Sequence, residues 1–363
     1  MPDSFPSLSE YFIAAGNPLQ TFDTGGTTPL EFSGASAEHL ATRQMCGLFD
    51  FSFMGAWEIK GPGVTAYLER LQTRNLDLLQ PGQIAYTLMC RDDGSIFNDA
   101  TVWMLAPEHF LFFSGRKSDA GWINDNTQSP SVNIVQIDGN HSVLALQGPM
   151  SGRVLSTLLG QSAVRNLRYF RFIDSTLIGA PCRIGRIGYS GELGYEIVIE
   201  TGQAARLWMA LCEAGRPYGL LECGFRAADS LRIESGYILF SSELAHPRKP
   251  VEVGLARCVD SNASGMRGRA GIAVSDLAHL HRLVTIEYDA TAEGSCDYTS
   301  DTVAVTSMAF SPHFGKNIGL AFATRAQSLP GTRVVTQNGV TAKVCTTPLY
   351  DPSRRRPRSD PLP

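Results

Sequence analysis

The stretch Gly188-Tyr189-Ser190-Gly191-Glu192-Leu193-Gly194-Tyr195-Glu196 leads from a glycine-rich turn into the apolar run Ile197-Val198-Ile199. The alternation of side chains over 195–200 predicts a β-strand, which we expect to pair with an earlier strand over 182–189. This alternation places Glu196 on the opposite face of the strand from its two neighbours. On the pattern alone, a solvent-facing glutamate is favoured over a functional one.

Segments of regular structure lie on both sides of this stretch and form two α+β sets. The first set is predicted to contain helices or strands at 38–46, 57–60, 64–71, 86–90, 100–105 and 110–113. The second set adds 143–149, 152–159, 182–189, 195–200, 204–214 and 224–234. Gly47 is interpreted as the end of the first helix. The loop Gly61-Pro62-Gly63 is interpreted as a tight turn rather than a dinucleotide-binding loop, because Pro62 stiffens it.

The character of the sequence changes after residue 250. Short β-strands separated by turn residues are predicted at 283–288, 302–310, 318–323, 332–337 and 341–346. This pattern is typical of a β-barrel or sandwich domain. The final residues, 351–363, read DPSRRRPRSDPLP and are rich in proline and arginine. Their composition favours a solvated, partly disordered tail over a binding element.

Composition limits the class of protein. The chain has 363 residues, of which 43% are hydrophobic and 18% charged, and its formal net charge is −4. Two or three domains with ordinary cores are therefore expected. The mixture of acidic and basic residues argues against a nucleic-acid partner. No secretory signal and no run of ~18 apolar residues occurs, so a cytoplasmic protein without a membrane segment is expected.

Familiar motifs for metal, nucleotide and acyl-transfer chemistry are missing from the sequence. The eight cysteines form no CxxC pair, and scattered reduced thiols are expected. His279 and His281 are two residues apart, but an exposed loop pair is favoured over metal ligands, so no metal site is predicted. Neither a P-loop nor a GxSxG motif occurs.

Asp99 is the most notable acidic residue of the sequence. It follows Gly94-Ser95-Ile96-Phe97-Asn98 and precedes the apolar run Ala100-Thr101-Val102-Trp103. A carboxylate at the start of a largely apolar strand must be hydrogen-bonded, exposed or functional. The pattern alone favours a cap at the end of the strand and leaves a functional acid as the alternative.

Taken in order along the chain, a series of segments resembles the T-protein family of folate-dependent aminomethyltransferases. These segments are 38–43 (EHLATR), 47–55 (GLFDFSFMG), 74–76 (RNL), 81–82 (PG), 86–87 (YT), 94–99 (GSIFND), 146–149 (LQGP), 188–196 (GYSGELGYE), 227–234 (AADSLRIE), 250–255 (PVEVGL) and 310–316 (FSPHFGK). The resemblance implies an α+β protein with a three-domain cloverleaf around a central folate site. Two α+β domains, 1–49 plus 138–249 and 50–137, would precede a carboxyl-terminal β-barrel domain at 250–363.

The resemblance also implies roles for single residues. Asp99 occupies the place of the family's catalytic aspartate, and Glu196 that of the glutamate that binds the pterin. A carboxylate suits this second task, since it can accept two hydrogen bonds from the donor edge of a pterin. The family has an arginine near the folate where this chain has Ala228, and two other arginines lie close by. The residues expected to hold tetrahydrofolate are Met54, Tyr86, Tyr189, Glu196, Arg226 and Arg232.

Several departures from the family pattern bear on the one-carbon donor. Phe53 replaces a histidine, Asn98 replaces the first acid of a pair, and a folate-contacting loop is replaced around 114–117. With Asn98 in this position, Asp99 is expected to act without a second negative charge. The departures predict a small methylamine, methyl ether or methylthio donor in place of a lipoyl-bound aminomethyl group.

The sequence therefore predicts a transferase that moves an aminomethyl- or methyl-derived unit from a small donor onto tetrahydrofolate. One alternative is a folate-binding accessory protein without turnover, although the KGC(Y/F)xGQE motif of the branch that assists iron–sulfur assembly does not occur. Another alternative is the folate half of a two-component demethylase acting on methylamines or methyl ethers. A flavoprotein or carrier protein is then the expected partner, and neither nucleic acid nor a membrane is.

Overall fold

The computed structural model describes residues 7–22, 25–125, 131–260, 265–273, 281–288 and 303–362. The helices are α1 (Leu8–Ala14), α2 (Ala35–Gln44), α3 (Val64–Leu71), α4 (Ala120–Asp125), α5 (Ser151–Leu159), α6 (Gln161–Asn166), α7 (Thr201–Gly215), α8 (Phe225–Glu234) and α9 (Arg269–Ala273). The strands are β1 (Leu19–Thr21), β2 (Thr27–Pro29), β3 (Cys46–Asp50), β4 (Gly55–Lys60), β5 (Ile84–Cys90), β6 (Ile96–Ala106), β7 (His109–Ser114), β8 (Asn133–Gln136), β9 (His141–Gln147), β10 (Phe172–Leu177), β11 (Ala180–Gly185), β12 (Gly194–Glu200), β13 (Leu220–Cys223), β14 (Arg282–Tyr288), β15 (Ala304–Ser311), β16 (Lys316–Ala323), β17 (Arg333–Val335) and β18 (Thr341–Cys345).

The first large sheet has six strands in the order β10-β11-β12-β9-β3-β13, and only the β3–β13 pair is parallel. Successive side chains of β12 alternate between its two faces. Tyr195 and Ile197 lie in a core that also contains residues of α1, α5 and α7. Val198 lies in a second core on the opposite face. Glu196 shares that second face with Val198, which directs it toward the middle of the molecule.

The second large sheet is antiparallel, in the order β5-β6-β7-β4-β8. One of its faces packs on α3, whose apolar side chains recur at helical spacing. Its other face meets the first sheet, and the two sheets share one core. Trp103 lies 5.3 Å from Phe172, ring centroid to ring centroid, across this junction. A side chain on Gly185 would overlap the Trp103 indole, so glycine permits the close approach.

The third sheet is formed by the carboxyl-terminal strands in the order β15-β16-β14-β18-β17. It is an open antiparallel ladder, and an isolated bridge joins Val303, just before β15, to Thr336, just after β17. The resulting curl is that of the terminal barrel-like domain expected from the sequence. A separate core joins this sheet to α8 and to the β5–β6 hairpin. The α+β class is thus confirmed, whereas the domain limits drawn at 49, 137 and 249 stay a prediction.

Two expectations for local structure are wrong. The helix predicted at 38–46 ends at Gln44, and Cys46 and Gly47 begin the buried strand β3. Position 47 requires glycine, because a Cβ there would overlap the Thr42 side chain. The strand predicted at 182–189 ends at Gly185, since the following residues turn toward the shared core. Both errors arise where a glycine serves tertiary packing rather than chain termination.

The carboxyl-terminal tail is fixed to the rest of the protein, so the expectation of partial disorder is wrong, whereas most of its described residues are exposed to solvent as expected. The buried Arg186 guanidinium donates hydrogen bonds to the carbonyls of Leu167, Pro357 and Ser359, which fixes the tail to the first sheet. Leu362 is buried in the core beneath that sheet. Composition alone misled here, because one buried arginine satisfies several backbone acceptors at once.

Two findings concern membranes and thiols. Within the described parts of the chain, no helix combines the length and apolar character needed to cross a bilayer. The cysteines in these parts are free thiols. Cys296 and His279 lie outside the described residues.

Candidate active site

A cavity that is partly open to solvent lies where the two large sheets meet the loop after α8. Five of the residues expected to form a folate site line it together: Met54, Tyr86, Asp99, Tyr189 and Glu196. Most of the remaining lining is aromatic or aliphatic. Its phenylalanines are Phe51, Phe53, Phe113, Phe170, Phe225 and Phe240. A largely apolar cavity with a few converging polar groups is the usual form of a small-molecule site.

The position of Glu196 depends on the side chain of Gln147, the last residue of β9. Gln147 donates to the carbonyl of Ile187 (3.3 Å) and accepts a hydrogen bond from Ser190 (2.8 Å). A Cβ on Gly188 or on Gly194 would overlap this amide. The glycines of the 188–196 stretch therefore let the loop close around Gln147, and the closed loop aims the first residues of β12 at the cavity.

The Glu196 carboxylate faces the cavity and makes no hydrogen bond within the described residues. Burial raises the pKa of Glu196 to about 7. An acceptor that is desolvated and unpaired is costly in the free protein. Such a carboxylate is suited to a ligand that presents two N–H donors side by side.

Asp99 lies on β6 opposite Leu88 of β5, and its carboxylate enters the cavity. The Tyr86 hydroxyl donates a hydrogen bond to Asp99 Oδ2 over 2.9 Å. Burial raises the pKa of Asp99 to about 6, although the hydrogen bond from Tyr86 acts in the opposite direction. Burial and the nearby carboxylate hold the pKa of Tyr86 well above its usual value, so the phenol stays a donor. This contact with Tyr86 inside the cavity differs from the one expected if Asp99 only capped the end of the strand.

Asp119 is a second acid behind Asp99 that sequence reasoning missed. Asn98 donates to Asp119 Oδ2 over 2.6 Å, and Ser114 donates over 2.8 Å. The Arg116 guanidinium lies 2.9 Å from Asp119 Oδ1, and the negative charge of Asp119 adds to the raised pKa of Asp99. The expectation that Asp99 lacks a neighbouring negative charge is therefore wrong. The sequence signal that could have identified Asp119 is its position three residues after Arg116, a spacing at which the two side chains form an ion pair.

Arg226 and Arg232 do not line the cavity, contrary to the expected folate-binding role. Arg226 is 56% exposed and pairs with Glu31 over 3.1 Å. The Arg232 side chain is 1% exposed, and it pairs with Asp229 (2.7 Å) and Glu243 (2.6 Å). Both guanidinium groups are occupied by protein carboxylates, so neither is directed at a ligand in this site.

Arg232 nevertheless acts on the cavity through the loop after α8. Its guanidinium donates to the carbonyl of Tyr237 over 3.1 Å. The Tyr189 hydroxyl donates to the carbonyl of Ile238 over 2.6 Å. The following residues, Leu239 and Phe240, line the cavity. We therefore identify Arg232 as a positioning residue for this wall.

Phe53 forms an apolar part of the wall at the position where the resembling family has histidine. Its ring lies 5.6 Å from Phe22 and 5.7 Å from Phe51 and Phe225, measured between ring centroids. These edge-to-face contacts fix the ring in place.

The described residues also contain no group of three or more histidine, cysteine or acidic side chains placed to hold a metal ion.

A buried ionic network lies beside the cavity, and its members come from several of the segments that resemble the family. Glu234 of α8 lies 2.9 Å from His39 and 2.8 Å from Arg43, both on α2. Arg43 lies 3.1 Å from Glu192 in the 188–196 stretch, and its guanidinium stacks 3.8 Å from the ring centroid of Tyr350. The network joins α2, α8 and the carboxyl-terminal domain, so these charged residues hold the fold together.

Comparisons with known proteins agree with this architecture. The family profile described as "GCVT N-terminal domain" matches residues 1–263, and the "Glycine cleavage T-protein C-terminal barrel domain" profile matches 281–351. The chain is 33% identical over 337 residues to an aminomethyltransferase of Halothermothrix orenii, covering 90% of this chain and 94% of that protein. It is 34% identical over 361 residues to an aminomethyltransferase of Anoxybacillus flavithermus, covering 95% and 97%.

A solved structure supports the same fold. The crystal structure of glycine cleavage system aminomethyltransferase T from Bartonella henselae matches with a TM-score of 0.80 at 23% identity, covering 94% of this chain and 96% of that one. The chain therefore belongs to the glycine cleavage T-protein family.

Proposed function

We propose that this chain transfers an aminomethyl- or methyl-derived one-carbon unit from a small amine donor to tetrahydrofolate. The main support is the cavity that holds the unpaired Glu196 carboxylate and the Tyr86–Asp99 pair between aromatic walls. The relatives named aminomethyltransferase support the same class of reaction. Buried acids with raised pKa values in a cleft are typical of catalytic sites.

The residues of the cavity suit tetrahydrofolate. Its pterin presents adjacent N–H groups, and Glu196 offers a desolvated carboxylate without another partner among the described residues. Its flat rings match the aromatic lining, which includes Tyr189 and Phe240. In this proposal Glu196, Tyr189 and Tyr86 hold the folate, and Met54 fills the wall beside them.

Tetrahydrofolate supplies ring and bridge amines that accept a one-carbon unit. Asp99 then has two tasks that follow from its surroundings. Its carboxylate, partly removed from water, stabilises positive charge on the donor amine. Its pKa of about 6 lies close enough to neutrality for it to take up and return a proton. Tyr86 holds the carboxylate in one orientation through its hydrogen bond.

The donor that we propose is small and carries an apolar substituent. Phe53 and its aromatic neighbours present hydrocarbon where a histidine would present a polar nitrogen. Methylamines fit this description, because they combine a cationic nitrogen for Asp99 with methyl groups for the wall. Methyl ethers and methylthio compounds satisfy the apolar wall alone and are the second choice.

A binding and turnover screen tests the proposal. Calorimetry should detect tetrahydrofolate binding to the free chain, and the melting temperature should rise with ligand concentration. Incubation with candidate methylamines should then yield methyl-tetrahydrofolate and the demethylated amine. Methylene-tetrahydrofolate should form from a methylamine only when a flavoprotein first oxidises the donor by two electrons. The absence of binding at millimolar folate would refute the transferase. Tight binding without turnover, with or without a flavoprotein, would instead favour the accessory-protein alternative.

Replacement of Glu196 should weaken folate binding without loss of the fold. We expect Glu196→Ala to reduce the affinity by about 1.5–3 kcal/mol, the range for hydrogen bonds to a charged group. The reason is that the side chain has no partner in the free protein to lose. Titration calorimetry measures the effect. Glu200→Ala on the exposed end of the same strand is the matched control, and equal affinities for both variants would contradict the assignment.

Folate affinity should also depend on pH through Glu196. Burial raises the pKa of this carboxyl to about 7, so the anion that accepts the pterin hydrogen bonds is lost as the pH falls through that value. Affinity should decline from pH 8 toward pH 6, by up to ~10-fold per unit on the acid side. Glu196→Gln cannot titrate and should show a flat profile. A wild-type profile that is equally flat would contradict the ionised-acceptor role.

A further inference from the structure

Asp119 lies in the segment that follows β7 and is not among the residues that line the cavity. Its side chain is 1% exposed. Its Oδ2 atom accepts hydrogen bonds from Asn98 (2.6 Å) and Ser114 (2.8 Å), and Arg116 Nε lies 2.9 Å from its Oδ1 atom. Burial raises the pKa of Asp119, but the Arg116 charge and these hydrogen bonds act in the opposite direction. The immediate partners of Asp119 therefore stabilise its ionised form.

The side chain of Asn98 connects Asp119 to the backbone of Asp99. It is fully buried, and its amide oxygen accepts a hydrogen bond from the main-chain N–H of Asp99 over 2.9 Å. Because a main-chain N–H can only donate, this bond fixes which end of the amide is the oxygen and directs the NH2 group at Asp119. Strand β6 bulges at Phe97, immediately before this pair, and a bulge changes the direction of the side chains that follow it. Asp119 thus holds the amide that fixes the backbone at Asp99.

Arg116 supplies the opposite charge and is itself held in place. Its guanidinium lies 4.8 Å from the ring centroid of Phe97 and 5.3 Å from that of the cavity residue Phe240. It also donates a hydrogen bond to the carbonyl of Phe97 over 3.4 Å. The negative charge of Asp119 raises the pKa of Asp99, and the positive charge of Arg116 lowers it. Two fixed and opposite charges therefore act on Asp99 from outside the cavity.

Other titratable groups face Asp99 from the elements packed around it. They are Tyr86 of β5, Tyr189 before β12, Glu196 of β12 and Cys258 in the turn at 256–258. Burial raises the pKa of both tyrosines and of the cysteine, so these three groups are neutral at pH 7. Glu196 titrates at about 7 and remains unchanged when the charges behind Asp99 are altered. A variant that alters only those charges is therefore compared with the wild type on the same background.

We propose that Asp119 is a positioning residue for the one-carbon transfer, which holds the Asp99 carboxylate in place through Asn98 and, together with Arg116, sets the electrostatic field that acts on it. The inference rests on the proposed function, because it assigns Asp119 to the reaction in which Asp99 takes part. An acid placed behind Asp99 strengthens it as a base. Since Asp119 does not line the cavity, it does so without competing for the cationic donor.

An NMR titration of the full chain labelled with ¹³C at its aspartate carboxyls tests the electrostatic part without any ligand. The Asp99 signal is the one that disappears in Asp99→Asn. Asp119→Asn removes a negative charge and should lower the pKa of Asp99 from about 6 by at least ~0.5. Arg116→Gln removes a positive charge and should raise it, and the double variant should lie near the wild type. Asp125→Asn, at the exposed end of α4, is the matched control and should leave the titration unchanged.

The same variants should change turnover in a way that a merely structural role would not. The acid limb of the kcat profile should move to lower pH in Asp119→Asn and to higher pH in Arg116→Gln. The maximal kcat of Asp119→Asn should also fall by roughly 10-fold, because the Asp99 carboxylate is less firmly placed. The KM for tetrahydrofolate should change little, since the proposed pterin contact is made by Glu196.

The remaining outcomes separate this inference from the proposed function. An unchanged Asp99 titration, or shifts of the same sign in both single variants, would overturn the inference and leave the proposed function intact. Shifts in the titration without matching shifts in the acid limb would also overturn it, since Asp119 would then act on the carboxyl and not on the reaction. If Asp119→Asn does not fold, the partly exposed Arg116 carries the same test through Arg116→Gln. Failure to bind tetrahydrofolate would instead reject the proposed function, and with it a part for Asp119 in the transfer.

Discussion

Glu234→Gln should destabilise the folded protein by roughly 3–5 kcal/mol, the range for removing one partner from a buried ion pair. The side chains of Glu234, His39 and Arg43 are fully buried. Glu234 also accepts a hydrogen bond from Ser311 in the carboxyl-terminal domain. The amide would leave the Arg43 charge inside the protein with only Glu192 to offset it, and water cannot reach the site.

Equilibrium unfolding in urea measures the effect. Glu213→Gln in the exposed last turn of α7 is the matched control and should change stability by less than ~0.5 kcal/mol. Burial alone would raise the pKa of Glu234, but the hydrogen bond from His39 and the charge of Arg43 outweigh burial and lower it. The stabilisation is therefore present at neutral pH and is lost as the pH falls through that lowered value. A loss of stability no larger than that of the control would show that the network is dispensable.

Much of the fold follows from local patterns in the sequence. Helix α3 has the predicted bounds because an amphipathic period starts after the Gly61-Pro62-Gly63 turn and stops where the chain extends. The hairpin of β5 and β6 was equally readable from two apolar runs around a polar turn. The ionic network could not be predicted from the sequence, since His39 and Glu234 are distant along the chain and their pairing depends on tertiary packing.

The candidate site was predictable only in part. The family resemblance indicated Asp99 and Glu196, and the structure places both in one cavity, while their roles stay predictions. Asp119 was missed because its place behind Asn98 depends on how the 114–119 loop folds. Arg232 lies outside the cavity lining, and the sequence did not show that Glu243 pairs with it. Closeness in sequence to the family-like segments did not predict a folate contact for arginines that are already paired with protein carboxylates.

Asp99→Asn should reduce turnover by at least ~100-fold, the low end for removal of a positioned acid or base. The fold should survive, because the amide oxygen can still accept the hydrogen bond from the Tyr86 hydroxyl. Folate affinity should change little, since Glu196 carries the proposed pterin contact. The substitution removes the negative charge that stabilises a cationic donor. The loss should therefore appear mainly in kcat, as for an interaction made in the transition state.

Two further variants separate a catalytic charge from a structural one. Tyr86→Phe removes a hydrogen bond that lowers the pKa of Asp99, so that pKa should rise and the acid limb of the pH–rate profile should move to higher pH. Asp174→Asn, an exposed acid on β10, is the matched isosteric control and should retain full activity. Asn98→Asp is not a suitable control, because it would set a carboxylate against Asp119, which Asn98 now contacts at 2.6 Å. Full turnover by Asp99→Asn with an unchanged pH profile in Tyr86→Phe would reduce the pair to a structural contact. The proton and charge transfers would then have to be assigned to Glu196, the other acid in the cavity with a raised pKa.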